Sequence, residues 1–188
     1  MYNVIIFGPP GSGKGTQSIK LAEKYNLSHI STGDIFRAEI KARSALGLRV
    51  QSVIEKGELV SDELLVDLLR SAMQKHAGTE GFLFDGYPRT IRQAHDLEKL
   101  LAEMNGEVNV VLALEVHDDE LMERLLKRAQ IEGRKDDTAE VISNRLNVYH
   151  QQTSPLMDHY AAQGKMKSVH GEGNIDDIFD RLCEKINK

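Results

Sequence analysis

The chain has no tryptophan, one cysteine and four prolines in 188 residues, and aromatics make up only 5% of it. A single cysteine closes no intrachain disulfide, and Cys183, set in the terminal pattern Ile178, Phe179, Leu182, Ile186, reads as small core filler. Long apolar runs are missing too. The longest, Val4 to Phe7 and Val110 to Leu114, fall far short of the roughly 20 residues that span a bilayer, so no membrane partner is expected. Basic residues are in deficit: Lys and Arg number 24 against 29 acids, a net charge of −5. That sign is wrong for an electrostatic nucleic-acid binder, and any bound polyanion must be held locally. The start, Met-Tyr-Asn-Val-Ile-Ile-Phe, lacks a basic segment and a signal-length apolar core, which points to the cytoplasm.

What is present is ordinary globular composition, 40% hydrophobic and 28% charged, in a length that favours one domain over residues 1–188. Asn3 to Phe7 reads as a buried strand followed by a glycine-rich loop and a helix. Apolar segments at Ser28 to Ser31, Gly81 to Phe84, Val108 to Val116 and Met166 to His170 stand between helical stretches. Strands alternating with helices predict an α/β fold on a five-stranded parallel sheet. Between the second and third strands the pattern predicts only helices, at Asp34 to Ser44, Leu48 to Lys56 and Asp62 to His76, the last capped by Ser61. After the fourth strand a helix from Asp118 is interrupted by the polar stretch Ile131 to Asp137, where Asp137 and Glu140 suit a capping box.

Gly8-Pro9-Pro10-Gly11-Ser12-Gly13-Lys14 has the spacing of a phosphate loop and lies between the strand and helix that its mechanism requires. Glycines let backbone N–H groups turn onto phosphate oxygens, the helix start adds partial positive charge, and Lys14 adds a full one. The residue after the lysine is Gly15, where the general pattern has a hydroxyl for magnesium; Thr16 follows one place later. Magnesium keeps several waters, so Thr16 or a water can stand in.

Arginines recur in motif-like contexts: Arg37 after Ser31-Thr32-Gly33-Asp34, Arg89 after Asp85-Gly86-Tyr87-Pro88, Arg124 and Arg128 on one helix face, and Arg134 and Arg145 about the polar interruption. The seven histidines, His29, His76, His95, His117, His150, His159 and His170, are scattered and carry no catalytic signal of their own.

Taken together, the phosphate loop, Ser-Thr-Gly-Asp at 31–34 with Arg37, Asp-Gly-Tyr-Pro-Arg-Thr at 85–90 and Arg-Lys-Asp-Asp at 134–137 resemble the adenylate kinase family along nearly the whole chain. The resemblance implies a P-loop nucleoside-triphosphate fold, a helical AMP-binding insertion at 31–60 and a lid at 128–138, in a monomer that moves a phosphoryl group between magnesium-bound ATP and AMP to give two ADP. It places ATP on Gly11, Ser12, Gly13, Lys14, Gly15, Thr16, Arg128 and Gly173. It places AMP on Thr32, Arg37, Glu58, Leu59, Val60, Gly86, Tyr87, Pro88, Arg89, Gln93, Arg134 and Arg145. The catalytic set it implies is Lys14, Asp85, Arg89, Arg124, Arg134 and Arg145, with no metal held directly and magnesium reached from Asp85 or Thr16 through water. Only a few residues separate Arg128 from Arg134 and none is cysteine or histidine, so the lid resembles the short form and has no structural zinc.

A UMP/CMP kinase shares this core, although Thr32 and Gln93 match the adenylate form better. A GTP-hydrolysing switch is the rival from another class. The chain lacks an Asn-Lys-x-Asp segment, and Asp85-Gly86-Tyr87-Pro88 is not an Asp-x-x-Gly turn.

Overall fold

The computed structural model describes residues 1–76, 78–134 and 137–186. Five strands, β1 (Asn3–Phe7), β2 (Ser28–Ser31), β3 (Phe82–Asp85), β4 (Val108–Glu115) and β5 (Met166–His170), form one sheet in the order β2-β3-β1-β4-β5. All neighbouring pairs are parallel. Around the sheet stand α1 (Lys14–Tyr25), α2 (Thr32–Lys41), α3 (Ala45–Glu55), α4 (Asp62–Lys75), α5 (Ile91–Glu103), α6 (Asp118–Glu132), α7 (Ala139–Val148), α8 (Pro155–Ala162) and α9 (Ile175–Cys183). A π-helical turn, Tyr149–Thr153, joins α7 to α8. Among the described residues no helix is long and apolar enough to cross a membrane.

Strand alternation builds two core layers. Ile5 and Phe7 point to one face with Phe82, Phe84, Val111 and Ala113, covered by Leu69 and Met73 of α4, Leu97 and Leu101 of α5 and Leu156 and Tyr160 of α8. Val4 and Ile6 point to the other with Leu83, Leu112 and Leu114, covered by Leu21 of α1 and Ile178 and Leu182 of α9; half-buried Cys183 packs at its margin. Each such buried side chain contributes about 1.5–3 kcal/mol. A third, smaller core joins α6 to α7 through Leu121, Leu125, Ile142 and Leu146.

Several boundaries differ from the sequence expectation for local reasons. β3 starts at Phe82 because a Cβ at Gly81 would lie 1.8 Å from the Tyr2 carbonyl oxygen, a close backbone crossing that a side chain would block. α2 starts at Thr32 rather than Asp34, since the Ser31 hydroxyl accepts from the Asp34 N–H at 3.3 Å. α3 starts at Ala45 rather than Leu48, since Ser44 accepts from the Gly47 N–H at 2.9 Å. Ser61 holds the cap position of α4 but makes no side-chain capping bond. The capping box expected of Asp137 and Glu140 does not form: Thr138 caps α7, accepting from Val141, and Asp137 turns inward to arginines.

In this strand order the chain leaves β1 for β2 and β3 on one side and then crosses to β4 and β5 on the other. The loop after β1 therefore sits at the topological switch point, at the carboxyl ends of the strands, where open α/β sheets bind ligands.

Candidate active site

The loop between β1 and α1 folds tightly: the Ser12 N–H donates to the Pro9 carbonyl at 3.1 Å. Gly11 and Gly13 have φ of +86° and +89°, a region that other residues enter at a cost, and a Cβ on Gly11 would lie 2.9 Å from Leu125 Cγ. α1 then opens at Lys14 with its first N–H groups facing the loop. Lys14 folds back over the loop, its ammonium donating to the Gly8 carbonyl at 2.7 Å and the Pro9 carbonyl at 3.0 Å. Burial pushes its pKa down to about 7; Asp85 opposes the shift, and the charges of Arg89, Arg145 and Arg128 add to it. Thr16 is exposed on α1.

Two cavities adjoin at the carboxyl edge of the sheet. One is lined by Thr32, Gly33, Phe36 and Arg37 of α2, by the 57–60 segment, and by Gly86, Arg89, Gln93 and Arg145. The other is lined by Gly8, Pro10 and Lys14 of the loop with Gly86, Pro88, Arg89, Arg145, Tyr149 and Thr153. Gly57, Leu59, Gly86, Arg89 and Arg145 belong to both linings. The wall between the cavities is thus partly cationic.

Buried hydrogen bonds fix that wall. Arg89 Nε donates to the Gly86 carbonyl at 2.8 Å, and Thr32 Oγ1 donates to the same carbonyl at 3.0 Å. Gly86 has φ +78°, and a Cβ there would stand 3.1 Å from Thr32 Oγ1 and 3.2 Å from Arg89 Nη2. Gln93, 1% exposed, accepts from the Arg89 N–H at 2.7 Å and donates to Asp62 Oδ1 at 2.7 Å. Burial pulls the Arg89 guanidinium below its ordinary range, Asp85 partly restoring it. Tyr87 is buried with its hydroxyl unpartnered, and the Tyr87–Pro88 bond is cis. Arg37 pairs with Asp34 at 2.5 Å.

A second group of arginines converges on Asp137, whose side chain is fully buried. Arg128 Nε and Nη2 donate to Asp137 Oδ2 and Oδ1 at 2.7 and 2.8 Å, Arg145 Nη1 donates to Oδ1 at 2.7 Å, and Arg134 Nε stands 3.7 Å from Oδ2. Arg124 is held elsewhere, by Glu120 at 2.9 Å and the Gly171 carbonyl at 3.2 Å. Gly173, with φ +107°, lies in the loop before α9, beside Arg181. Of the expected site residues, Gly11, Ser12, Gly13, Gly15, Thr16, Asp85, Tyr87, Arg124, Arg128, Arg134 and Gly173 line neither cavity. Lys135 and Asp136 of the lid motif lie outside the described residues.

With this geometry in view, comparison with known proteins is direct. A family model described as adenylate kinase matches residues 6–165. A protein named adenylate kinase from Bacteroides thetaiotaomicron is 50% identical over 188 residues, the whole of both chains. One of the same name from Parabacteroides distasonis is 50% identical over 187 residues, covering 100% of this chain and 98% of its own. Another, from Porphyromonas gingivalis, is 46% identical over 188 residues, covering 100% and 97%. The chain belongs to the adenylate kinase family. It is a phosphotransferase, a nucleoside monophosphate kinase whose function is reversible phosphoryl transfer from ATP to AMP.

Within this adenylate kinase fold Asp85 ends β3, is 8% exposed, and lies close enough to Lys14 for their charges to interact. A Cβ on Gly15 would stand 3.8 Å from Asp85 Oδ2. The missing side chain at position 15 therefore leaves room before a buried carboxylate, a hard oxygen donor of the kind magnesium prefers, so these residues fit the ion. Sequence reasoning missed Asp137 as an organiser of arginines, and missed Asp62, Phe36 and Tyr149 as parts of the site. Asp137 had a signal: an acid amid Arg128, Arg134 and Arg145 in a segment otherwise poor in apolar residues.

Proposed function

We propose that the two adjoining cavities receive the two nucleotides of the reaction, AMP in the one lined by α2 and the 57–60 segment, the ATP phosphates in the one lined by the phosphate loop. The shared lining carries this reading: Arg89 and Arg145 face both cavities, where the phosphoryl group must pass between donor and acceptor. On this reading residues 31–60 are the AMP-binding insertion and 128–138 the lid.

The residue roles follow. Lys14 and the N–H groups of Gly11 to Thr16 bind the donor phosphates. Thr32, Arg37, Gly86 to Arg89, Gln93 and the 58–60 segment hold AMP, with Arg89 against its phosphate. An AMP phosphate oxygen attacks the γ-phosphorus, the bond from that phosphorus to the β,γ-bridging oxygen breaks, and ADP leaves with the electron pair. The acceptor is already anionic near neutrality, its second pKa being about 6, so no general base is required. Positioning and charge neutralisation carry the rate. Arg134, Arg145 and Arg124 add charge when the lid closes, and Arg128 binds ATP. Magnesium bound with ATP neutralises phosphate charge, and Asp85 and Thr16 are the residues that would help hold it through water. Gly173 supplies a backbone contact to the ATP base. The chain works as a monomer in the cytoplasm, without nucleic-acid or membrane partners.

Initial rates with AMP, CMP and UMP at fixed ATP test the reading. AMP should be strongly preferred; preference for a pyrimidine monophosphate would reassign the chain to the UMP/CMP branch. ATP hydrolysis without acceptor should be slow beside transfer, because an unclosed site leaves the arginines unassembled.

A further inference from the structure

On the face opposite the phosphate loop's helix, α5 and α8 bring together two histidines that are far apart in the sequence. His95 Nδ1 lies 3.4 Å from Glu98 Oε2, and His159 Nε2 lies 3.3 Å from Glu98 Oε1. The three ligand atoms all fall within 4.8 Å of one another, and among the described residues this is the one such group of three. The His95 and His159 rings meet edge to face at 5.1 Å.

Three polar side chains crowd one carboxylate here. His159 Nε2 faces Gln163 Nε2 at 3.0 Å and Glu98 Oε1 at 3.3 Å, while Gln163 Nε2 donates to the same Glu98 oxygen at 3.3 Å. With Nε2 protonated, His159 and Gln163 both donate to Glu98 Oε1; with a lone pair there, Nε2 and the carboxylate face each other as two donors of electron pairs, the arrangement that holds a cation.

We propose that His95, Glu98 and His159 form a binding site for a zinc-type divalent cation that staples α5 to α8. Two imidazoles and one carboxylate suit zinc better than magnesium, which prefers oxygen and keeps its water. The two imidazole nitrogens approach different oxygens of the one carboxylate, at 3.4 and 3.3 Å, so an ion between them can be gripped by both oxygens. Gln163 donates to Glu98 from outside the ligand set and so orients it. With His95 half exposed, the cation can enter from solvent. The site is remote from the lid, where no zinc is expected, and does not depend on how the nucleotides are assigned.

The test is calorimetric titration of ZnCl2 into the metal-stripped full chain, with excess magnesium present, alongside thermal unfolding. The wild type should bind one equivalent, and zinc at about 100 times its Kd should raise the melting midpoint by roughly 5–10 °C. His95→Ala, at an exposed position that leaves the core intact, should weaken binding at least about tenfold and remove the rise. Glu98→Gln, which keeps the shape and loses the charge, should do the same, whereas His76→Ala just past the end of α4 should behave as wild type. Absence of zinc binding to the wild type, or equal affinity and an equal thermal rise in His95→Ala, would overturn the proposal.

Discussion

Asp137 accepts both prongs of Arg128, from Nε at 2.7 Å and from Nη2 at 2.8 Å, in a pair whose carboxylate is fully buried. The same carboxylate takes Arg145 and lies near Arg134, so one acid stands among three cations drawn from α6, α7 and the segment between them. Removing it leaves like charges crowded in a partly desolvated place. Asp137→Ala is therefore expected to cost about 3–5 kcal/mol of stability, the range for breaking a buried pair from one side. Urea unfolding checks this, and a loss within error of zero would show that solvent already screens the arginines.

Arg89 stands in the wall common to both cavities. Arg89→Ala should lower kcat by about 10³–10⁵-fold, the worth of an arginine that braces phosphoryl transfer, and should raise the KM for AMP. Arg89→Lys should recover little, because Arg89 already donates to the Gly86 carbonyl and, on the proposed reading, must also reach the acceptor phosphate, a two-sided grip that the single ammonium of lysine cannot make. Steady-state rates at saturating ATP decide, and retention of wild-type turnover by the alanine variant would remove Arg89 from the catalytic set.

If Lys14 holds the ATP phosphates as proposed, ATP binding should depend on pH. In the ligand-free chain burial holds its pKa at about 7, and polyphosphate charge should lift it back toward the ordinary 10.5. Binding near pH 8 should then take up about one proton, and affinity should fall by up to about tenfold per unit as pH rises above 7. Calorimetry in two buffers of different ionisation enthalpy reads the proton directly. The ligand-free chain shows the opposite trend: between pH 7 and 10.5 the unfolded state retains a proton that the folded Lys14 has released, so this residue's contribution to stability rises with pH.

Gln93 holds the start of α5 to α4 from within the core. Gln93→Ala leaves the Arg89 N–H and Asp62 without their buried partner and should cost about 1–3 kcal/mol. If Gln93 also contacts the acceptor base, the variant should narrow the preference for AMP over CMP. Unfolding and acceptor rates measured on the same preparation separate the two effects.

How much of this was legible beforehand follows from the range of each interaction. β1, the phosphate loop and the start of α1 are contiguous, and each signal there, a continuous apolar run, glycines and a lysine at the helix start, acts within a few residues; the strand, loop and helix follow one another as expected. β3 moved by one residue because Gly81 answers to the backbone of Tyr2, and α2 and α3 began earlier because serine caps act one turn ahead of the apolar pattern.

The sequence alone determined the parallel sheet, the helical stretch between β2 and β3, the phosphate loop and the family, since all of these rest on short-range pattern and composition. Only the tertiary structure decided that Asp137 gathers arginines instead of capping α7, that Arg89 and Arg145 stand between two cavities, and that His95 and His159 meet across Glu98. A polar residue in a short connection can cap a helix or pair with a charge, and the outcome depends on which helix packs over it. Glu98 and His159 are 61 residues apart, so their meeting follows from the sheet-wide packing of α5 against α8, which no local pattern encodes.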